Sequence, residues 1–290
     1  MNLCDINTLR ALLGRHGFHF SKSMGQNFLI DDAVPRAIAE ASGADENTAV
    51  LEIGPGVGCL TQELCVRAGR VVSVELDRAL IPVLGETMAQ FGNFKLVSGD
   101  IMKTDIGTLV DTELAPLRPI VCANLPYNIT SPVLTALVRS RRFDSITVLV
   151  QREVALRIAA RAGTADYGAF SLLMQYYTDP QIVLDVPHDA FLPAPKVDSA
   201  VVHCRCRKTP VVDVDEAHFF RTVRGGFALR RKTLVNSLMN EFGSVFSKGA
   251  LAAAITACGF DANIRGERLT LHDYAALSNE LLSRQKESIM

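Results

Sequence analysis

The first residues that could do chemistry form a glycine-rich turn at residues 51–58 (LEIGPGVG), between a predicted strand and a predicted helix. Glycines at this place permit a tight turn and let a ligand approach the backbone closely. Glu75 ends the next predicted strand, and Asp100 follows the strand after that. Because the carboxyl ends of parallel strands meet at one edge of a sheet, these groups could bind one ligand. Glu75 would then accept the two hydroxyls of a ribose.

The spacing of the glycines limits the choice of ligand. Gly54, Gly56 and Gly58 follow a GxGxG pattern, whereas a GxGxxG pattern is typical of turns that place a pyrophosphate at the helix N-terminus. A nucleoside without phosphates therefore fits better than a dinucleotide, and S-adenosylmethionine is such a nucleoside. A glycine-rich turn alone is also found in dehydrogenases, so the acids at the successive strand ends carry much of this prediction.

Asn124, Leu125, Pro126 and Tyr127 span the end of the fourth predicted strand and the turn directly after it. The exocyclic amine of adenine is a poor nucleophile because its lone pair is delocalised into the ring. An asparagine side-chain oxygen and a backbone carbonyl, which we expect proline to supply, could accept the two amine hydrogens and stabilise the charge of the transition state. Tyr127 could stack on the base, worth about 1–3 kcal/mol. The alternative is an ordinary Asn-x-Pro turn with a core tyrosine.

A polar segment before the first predicted strand, residues 21–29 (SKSMGQNFL), could reach the same ligand. Gln26 and Asn27 could contact the methionine end of the cofactor, and Lys22 could contact a phosphate. A turn that caps a helix would have a similar composition, so this segment alone does not indicate a function.

A second accessory segment spans residues 191–199 (FLPAPKVDS), where two prolines stiffen a loop. Phe191 could form the second wall of a base-binding slot opposite Tyr127, and Lys196 could contact RNA. A buried loop phenylalanine is an equally good interpretation of this segment on its own.

A run of basic residues lies in the C-terminal third of the chain and contains no acid. Its members are Arg221, Arg224, Arg230, Arg231 and Lys232. Such a run could contact RNA phosphates, which requires a local basic patch and not a basic total charge. A solvated helix face is the ordinary alternative for a run of this kind.

Alternating strands and helices must position these motifs. Apolar, β-branched runs bounded by turn residues predict strands at 49–53, 70–76, 94–99, 119–125, 145–151, 181–186 and 200–206. Helical patterns lie between the first five at 60–67, 78–90 and 133–140. This alternation predicts an α/β fold with a mostly parallel sheet that is covered on both faces.

The character of the chain changes after a linker-like segment at residues 208–210. From Glu216 onward, Ala, Leu and Phe recur at three- and four-residue spacing, which predicts helices. We therefore expect an α/β domain over residues 1–208 and a small all-helical domain over residues 209–290. The length of 290 residues agrees with about two domains.

Composition excludes several classes of protein. With 48% hydrophobic residues and 30 Lys+Arg against 31 Asp+Glu, the chain is neither disordered nor a globally basic nucleic-acid binder. No apolar run approaches the ~18 residues of a membrane span, and the N-terminus lacks the apolar core of a secretory signal. Seven cysteines without a CxxC pair indicate reduced thiols in a cytoplasmic protein. The near-zero charge favours a monomer with a local docking face.

Seven segments of the chain carry a resemblance to a known family. In order they are GQNFL, LEIGPGVGCLT, VELD, GDI, NLPYNITSP, FLPAPKVDSAVV and RRKTLVNSL. Together they resemble the 16S rRNA adenine dimethyltransferases over about residues 9–277. The resemblance implies a Rossmann-like, seven-stranded class I methyltransferase sheet with a C-terminal helical domain. It also implies S-adenosylmethionine as cofactor, S-adenosylhomocysteine as product, and no metal.

The resemblance further implies a substrate and a set of site residues. The family transfers four methyl groups to two adjacent adenosines in the 3′-terminal hairpin loop of 16S rRNA, within a nearly assembled small ribosomal subunit. The implied catalytic residues are Asn124, Leu125, Pro126 and Tyr127, with Phe191 in support. The implied cofactor contacts are Asn27, Leu29, Gly54, Glu75, Asp100 and Asn124, and Gln26, Gly56 and Ile101 are further candidates in the same motifs.

Two other functions stay open at this point. A large-subunit rRNA adenine methyltransferase of the antibiotic-resistance type shares NLPY-like chemistry, although the FLPAPKVDS loop and the RRKTLVNSL region favour the small-subunit enzyme. An RNA-binding assembly factor with secondary catalysis is the third hypothesis. One departure from the family pattern is Gly266, which stands where the family often has proline. We expect that difference to affect local rigidity more than chemistry.

Overall fold

The computed structural model describes residues 1–19 and 26–287, so the predicted phosphate contact Lys22 lies outside the described residues. The helices are α1 Ile6–Arg15, α2 Ala33–Ala41, α3 Cys59–Arg67, α4 Ile81–Thr87, α5 Ile106–Leu109, α6 Thr130–Ser140, α7 Arg152–Ala159, α8 Ala169–Tyr177, α9 Glu216–Phe227, α10 Leu234–Phe242, α11 Lys248–Ala257 and α12 Leu271–Glu287. The strands are β1 Phe28–Leu29, β2 Thr48–Ile53, β3 Arg70–Glu75, β4 Phe94–Ser98, β5 Arg118–Asn124, β6 Ser145–Gln151, β7 Thr178–Val186, β8 Phe191–Leu192 and β9 Ser199–Cys206.

Seven of these strands form one sheet in the order β4-β3-β2-β5-β6-β9-β7. Strands β2 to β6 pair in parallel, whereas β9 runs antiparallel to both β6 and β7. Strands β2 and β6 bury almost every residue, as expected for strands that are covered on both faces. All seven predicted strands form, and the predicted seven-stranded class I methyltransferase sheet is confirmed.

The turns that follow β2, β3 and β4 meet at the carboxyl edge of this sheet. The N–H of Gly54, just after β2, donates to the carbonyl of Val74 at 3.0 Å. The N–H of Gly99, just after β4, donates to the carbonyl of Glu75 at 2.9 Å. These cross-strand bonds bring three turns that are far apart in sequence against one another. The carboxyl edge is therefore the rigid frame of the candidate site.

The N-terminal elements were not predicted from the sequence. Helix α1 begins after Asp5, whose side chain accepts a hydrogen bond from the N–H of Thr8 at 2.8 Å. Strands β1 and β8 form a separate two-stranded antiparallel sheet, with Phe28 opposite Leu192 and Leu29 opposite Phe191. This short sheet joins the two accessory segments of the sequence, one before the first predicted strand and one after the sixth.

The chain divides into two compact units. The first comprises Met1–Ala155 and Thr178–Cys206, and the second comprises Leu156–Tyr177 and Arg207–Met290. The boundary predicted after residue 208 therefore needs a correction, because residues 156–177 group with the C-terminal helices. Aromatic packing explains why: the Tyr176 ring of α8 stacks on Phe219 of α9 with centroids 5.2 Å apart. These residues carried no linker signal in the sequence.

Gly226, on α9 of the second unit, allows close packing against the buried Tyr274. A methyl group on Gly226 would lie 2.8 Å from Tyr274 Cε1, and the Tyr274 hydroxyl also donates to the carbonyl of Gly266 at 3.1 Å. We expect Gly226→Ala to lower the free energy of unfolding by about 1–3 kcal/mol, since an overpacked core must shift. Urea titration measures this change.

A matched control for this prediction is Gly249→Ala in α11 of the same unit. An added methyl there meets only the Ser247 hydroxyl, at 3.9 Å, and Gly249 is exposed. Gly249 lies in the first turn of α11, so alanine there should change the free energy of unfolding by less than about 1 kcal/mol. Equal urea midpoints for wild type and Gly226→Ala would contradict the packing argument.

The seven cysteines are all free thiols, and five of them are buried. Burial raises the pKa of the Cys204 thiol to about 12, so this group behaves as a small apolar side chain. Among the described residues, no group of three or more His, Cys, Asp or Glu side chains is arranged to hold a metal ion. Within the same part of the chain, no helix combines the length and the apolar character needed to cross a membrane.

Candidate functional site

A cavity of about 250 Å³ opens at the carboxyl edge of the sheet, within the first unit. Its lining brings together every predicted cofactor residue: Gln26, Asn27, Leu29, Gly54, Gly56, Glu75, Asp100, Ile101 and Asn124. Leu125, Pro126 and Tyr127 also line it, whereas Phe191 does not. The sequence motifs therefore converge on one place, although they are spread over about a hundred residues of the chain.

The glycine-rich turn forms one wall of the cavity. Gly54, Gly56 and Gly58 all have positive φ angles, of 69°, 61° and 100°. Side chains disfavour this backbone region, so the turn depends on glycine. A methyl group on Gly56 would also lie 3.1 Å from the Phe28 ring. The turn therefore exposes bare backbone to a ligand, as the sequence predicted.

Glu75, at the end of β3, is a buried carboxylate in the cavity wall, with 5% of its surface exposed. Its Oε1 accepts the N–H of Asp77 at 2.8 Å, and its Oε2 accepts the N–H of Gly56 at 3.4 Å. Burial raises the pKa of Glu75, an effect that these backbone donors oppose. The donors hold the carboxylate in place beside the glycine turn, where it could accept the hydroxyls of a ribose.

The side-chain oxygen of Gln26 is a buried hydrogen-bond acceptor in the cavity wall. Its Nε2 donates to Asp77 Oδ2 at 2.7 Å, which fixes the side chain. Its Oε1 is buried and has no hydrogen-bond partner within residues 1–19 and 26–287. A buried acceptor of this kind calls for a ligand donor such as an ammonium or hydroxyl group. Together with Glu75, it fits a nucleoside that carries an amino acid chain.

The side chain of Asp100, after β4, makes a hydrogen bond within the turn to which it belongs. Its Oδ1 accepts the N–H of Met102 at 2.9 Å, so the carboxylate begins the short 3₁₀ helix Ile101–Lys103. Lys103 lies 3.9 Å from the other carboxylate oxygen. Ile101 is buried next to it and adds an apolar surface to the cavity. The pair could bind the polar edge and the flat face of a base.

Asn124, at the end of β5, has a defined amide orientation. Its Nδ2 donates to the carbonyl of Asn27 at 3.3 Å, a contact between two predicted site residues that are 97 positions apart. Because the amide nitrogen makes this hydrogen bond, the amide oxygen Oδ1 could accept a hydrogen bond from a ligand. The side chain could therefore accept a hydrogen from a ligand amine, and this role of the motif stays a prediction.

The role expected for the proline carbonyl needs a correction. The carbonyl of Pro126 accepts the N–H of Ile129 at 3.2 Å and the hydroxyl of Thr130 at 3.1 Å, so it closes the turn that begins α6. The neighbouring main-chain acceptor is the carbonyl of Leu125. The N–H of Leu125 donates to the carbonyl of Leu149 at 3.1 Å, which fixes the backbone at this residue. Pro126 therefore shapes the turn, and Leu125 is the residue that could accept the second amine hydrogen.

Tyr127 and Phe191 have different surroundings. Tyr127 lines the cavity, and its hydroxyl lies 2.7 Å from the hydroxyl of Ser199. Phe191 is only 2% exposed and lies in the core, opposite Leu29 in the β1–β8 sheet. The structure thus places Phe191 behind the cavity lining, and its role as the second wall of a base slot stays a prediction.

Glu52 is a cavity residue that sequence reasoning did not select. It is 1% exposed, and its Oε2 accepts the hydroxyls of Ser73 at 2.6 Å and Thr61 at 2.8 Å. Burial raises its pKa from 4.5 to about 7, and the charge of Glu75 adds to the effect. The signal in the sequence was an acid inside an otherwise apolar strand, where a charge is costly.

This buried acid predicts a pH dependence of stability. Above pH 7 the folded protein holds a buried charge that the unfolded chain keeps in water. Stability should therefore fall by up to ~3 kcal/mol as the pH rises from about 4.5 through 7. Glu52→Gln, which keeps an oxygen for Ser73 and Thr61, should remove this component. Urea titrations at several pH values measure it.

The control for that prediction is Glu40→Gln, since the Glu40 side chain is 63% exposed. It should follow the pH profile of the wild type. Identical profiles for Glu52→Gln and wild type would contradict the assignment of a buried charge. Because the comparison uses the folding equilibrium, it does not depend on any ligand.

The predicted RNA contacts of the second unit fall into two groups. Arg221 and Arg224 both contact Glu241 of α10, with Nε–Oε1 at 3.1 Å and Nη2–Oε1 at 2.9 Å respectively. The basic run contained no acid in sequence, but packing of α9 against α10 supplies one. The Arg221 guanidinium also lies 4.4 Å from the Phe242 ring centre. Both arginines thus serve the fold, and their contact with RNA stays a prediction.

The remaining basic candidates are exposed. Arg231 and Lys232 follow α9 on the surface of the second unit, and Lys196 is exposed in the first unit. Arg230 donates to the carbonyl of Ala165, which holds part of this segment against the same unit. Contact of these four side chains with phosphate stays a prediction.

Comparison with known proteins agrees with this geometry. Residues 17–281 match the family described as "Ribosomal RNA adenine dimethylase". A protein of Shouchella clausii named "Ribosomal RNA small subunit methyltransferase A" is 43% identical over 281 residues, which is 96% of this chain and 95% of that protein. A protein of the same name from Staphylococcus haemolyticus is 44% identical over 93% of each chain.

Solved structures share the fold. A dimethyladenosine transferase of Plasmodium falciparum superposes with a TM-score of 0.74 at 23% identity, over 90% of this chain and 98% of that one. The 23S rRNA methyltransferase ErmE gives a TM-score of 0.67 at 26% identity, over 88% of this chain and 99% of that one. The family match spans most of the sequence and includes every motif that lines the cavity. The chain belongs to the ribosomal RNA adenine dimethylase family.

Proposed function

We propose that this chain transfers methyl groups from S-adenosylmethionine to the exocyclic amines of two adjacent adenosines in the 3′-terminal hairpin loop of small-subunit rRNA. The orientation of Asn124 carries the proposal. Its amide nitrogen is held by Asn27, and its oxygen is left for an amine at the edge of a nucleoside-sized cavity. S-adenosylhomocysteine is then the product that leaves the cavity.

The chain's own groups activate the adenine amine. Asn124 Oδ1 and the Leu125 carbonyl accept its two hydrogens, which draws the nitrogen towards tetrahedral geometry and frees its lone pair. Both acceptors are fixed before the substrate arrives, so they stabilise the developing positive charge without reorganising. Tyr127 stacks on the base and holds it in line. The methylated ammonium is acidic and loses its proton readily, so no general base has to act before transfer.

The cavity lining determines how the cofactor would be held. Glu75 accepts the ribose hydroxyls, Gln26 Oε1 and Asn27 meet the amino acid end, and Asp100 with Ile101 contacts the base. When bound, S-adenosylmethionine supplies a methyl group on a sulfonium, and the transfer needs no metal. Orientation by these residues provides much of the acceleration, since well-oriented reactions reach effective molarities of about 10⁵–10⁸ M.

The small subunit is the proposed substrate because the relatives that match over nearly all of the chain are named for it. The resemblance in fold to a 23S rRNA methyltransferase keeps the large subunit as the alternative. RNA must present the target base unstacked, so shape dominates recognition. Lys196, Arg231 and Lys232 are the exposed cations proposed to contact phosphates. We further propose that the chain acts as a monomer in the cytoplasm.

An assembly role with secondary catalysis makes a different prediction. In that case Asn124→Ala would leave the cellular role intact, whereas joint replacement of Arg230 and Arg231 by alanine would abolish it. The enzyme proposal predicts instead that the modification of rRNA is lost with Asn124. Both roles can be carried by one chain, and the two variants separate them.

The experiment that tests the proposed substrate offers two undermodified ribosomal subunits in competition. Purified chain, labelled S-adenosylmethionine, and small and large subunits are incubated together, and the RNA is digested for nucleoside mass spectrometry. We expect N,N-dimethyladenosine in small-subunit RNA alone. Label in the large subunit would favour the resistance-type enzyme. Tight binding without label in either subunit would favour the assembly factor.

A further inference from the structure

The hydroxyl groups of Tyr127 and Ser199 form a contact that the reaction itself does not require. Their oxygens are 2.7 Å apart, although the residues are 72 positions apart in sequence. Tyr127 lines the cavity, and Ser199 is completely buried. One partner is therefore a proposed substrate contact, whereas the other is a buried residue that does not line the cavity.

Ser199 is held on both sides by the sheet. As the first residue of β9, it pairs with Gln151 of β6 and with Val186 of β7. The residue before it, Asp198, accepts the N–H of Arg152 on its carbonyl at 3.0 Å. The Ser199 hydroxyl is thus a fixed point within the first unit.

Tyr127 lies instead in the turn between β5 and α6. A tyrosine side chain has two torsions, χ1 and χ2. The hydroxyl oxygen lies on the χ2 axis, so a hydrogen bond to it fixes χ1, and with it the place of the ring, once the backbone is placed. Burial raises the pKa of the Tyr127 phenol, so the hydroxyl stays protonated at neutral pH. The contact is therefore a hydrogen bond between two neutral groups that fixes the position of the ring.

We propose that Ser199 is a positioning residue whose hydroxyl holds the Tyr127 ring in the position that receives the target adenine. The proposal rests on the proposed function, since it assigns the ring that stacks on the base. Ser199 also ends the segment that begins with β8, and β8 pairs with the cavity strand β1. The segment from β8 to Ser199 thus contacts both the base-binding side and the cofactor side of the cavity.

The direct test observes the ring without any substrate. The chain has five tyrosines, so 3-fluorotyrosine labelling gives a simple ¹⁹F NMR spectrum, and Tyr127→Phe assigns the Tyr127 signal. We expect Ser199→Ala to shift or broaden that signal and leave the other four unchanged. The matched control is Thr147→Val, which removes a buried hydroxyl bonded to His203 in the same sheet, at 2.8 Å. It should leave the Tyr127 signal in place.

Kinetics on small subunits provide the second readout. We expect Ser199→Ala and Tyr127→Phe each to lower kcat/KM for the RNA by about 10-fold through misplacement of the ring. The double variant should be no worse than either single one, and the Kd for S-adenosylmethionine should change less than about twofold. If Ser199→Ala fails to fold, Tyr127→Phe removes the same bond from the half-buried side and decides the kinetic test.

The outcomes separate this proposal from the function on which it rests. An unchanged Tyr127 signal in Ser199→Ala, or additive losses in the double variant, would overturn the positioning role while Asn124→Ala still abolished methylation. Full methylation by Asn124→Ala would overturn the proposed function, and the ¹⁹F result would then describe only a structural contact.

Discussion

Replacing Asn124 with alanine should lower kcat for adenine methylation by about 10²–10³-fold, the usual effect of losing one preorganised polar group in a transition state. The change removes the side-chain oxygen that accepts an amine hydrogen and also the donor that is bound to the Asn27 carbonyl. The cofactor cavity keeps its carboxylates, so the Kd for S-adenosylmethionine should change only a few-fold. Single-turnover methylation of small subunits measures the first quantity, and calorimetry measures the second.

Asn124→Asp refines this prediction, because it keeps an acceptor of the same size but cannot donate to Asn27 when it is ionised. We expect it to be impaired as well, which would show that the orientation of the amide matters in addition to its oxygen. Asn263→Ala, an exposed asparagine of the second unit, is the control and should behave as the wild type. Wild-type turnover by Asn124→Ala would refute the catalytic assignment.

Replacing Glu75 with alanine should weaken S-adenosylmethionine binding by on the order of 1.5–3 kcal/mol, through the loss of charge-assisted hydrogen bonds to the ribose. This corresponds to a Kd roughly 10- to 150-fold higher. The N–H groups of Asp77 and Gly56 already fix the carboxylate, so cofactor binding costs little conformational entropy at this side chain. Isothermal calorimetry with the cofactor alone gives the result without RNA.

Glu75→Gln is the matched variant for this second prediction, since it keeps the size of the side chain and one acceptor. It should lie between the wild type and the alanine variant. A third measurement with methionine, which lacks the ribose, should show the same affinity for all three proteins. Equal Kd values for the cofactor in wild type and Glu75→Ala would show that Glu75 does not bind the ribose.

The sheet and the place of the site follow from local features of the sequence. Buried β-branched runs that end in Gly54, Glu75, Asp100 and Asn124 were enough to predict that these residues meet, because parallel strands align their carboxyl ends. The chemistry of the NLPY segment could also be stated before its position was known. Both predictions need only the parallel direction of the strands and the types of the side chains at their ends.

Features that depend on packing between distant segments could not be derived in this way. Glu241 lies outside the basic run, and only the packing of α9 against α10 brings it to Arg221. The carbonyl of Pro126 is occupied by Thr130, four residues further on, because α6 begins there. The Tyr127–Ser199 contact requires the register of β9. In each case the role of the residue depends on a partner that only the folded structure brings into contact, and no local sequence pattern predicts that partner.

The mass of one RNA fragment tests the proposed methylation of small-subunit rRNA. Undermodified small subunits are treated with S-adenosylmethionine and either the wild-type chain or Asn124→Ala, and the fragment that contains the 3′-terminal hairpin is isolated. We predict four added methyl groups on two adjacent adenosines with the wild type, and a fragment that is still largely unmodified with the variant when the wild-type reaction is complete. Methyl groups elsewhere in the RNA would contradict the proposed substrate, and an equal mass gain with both proteins would contradict the proposed role of Asn124.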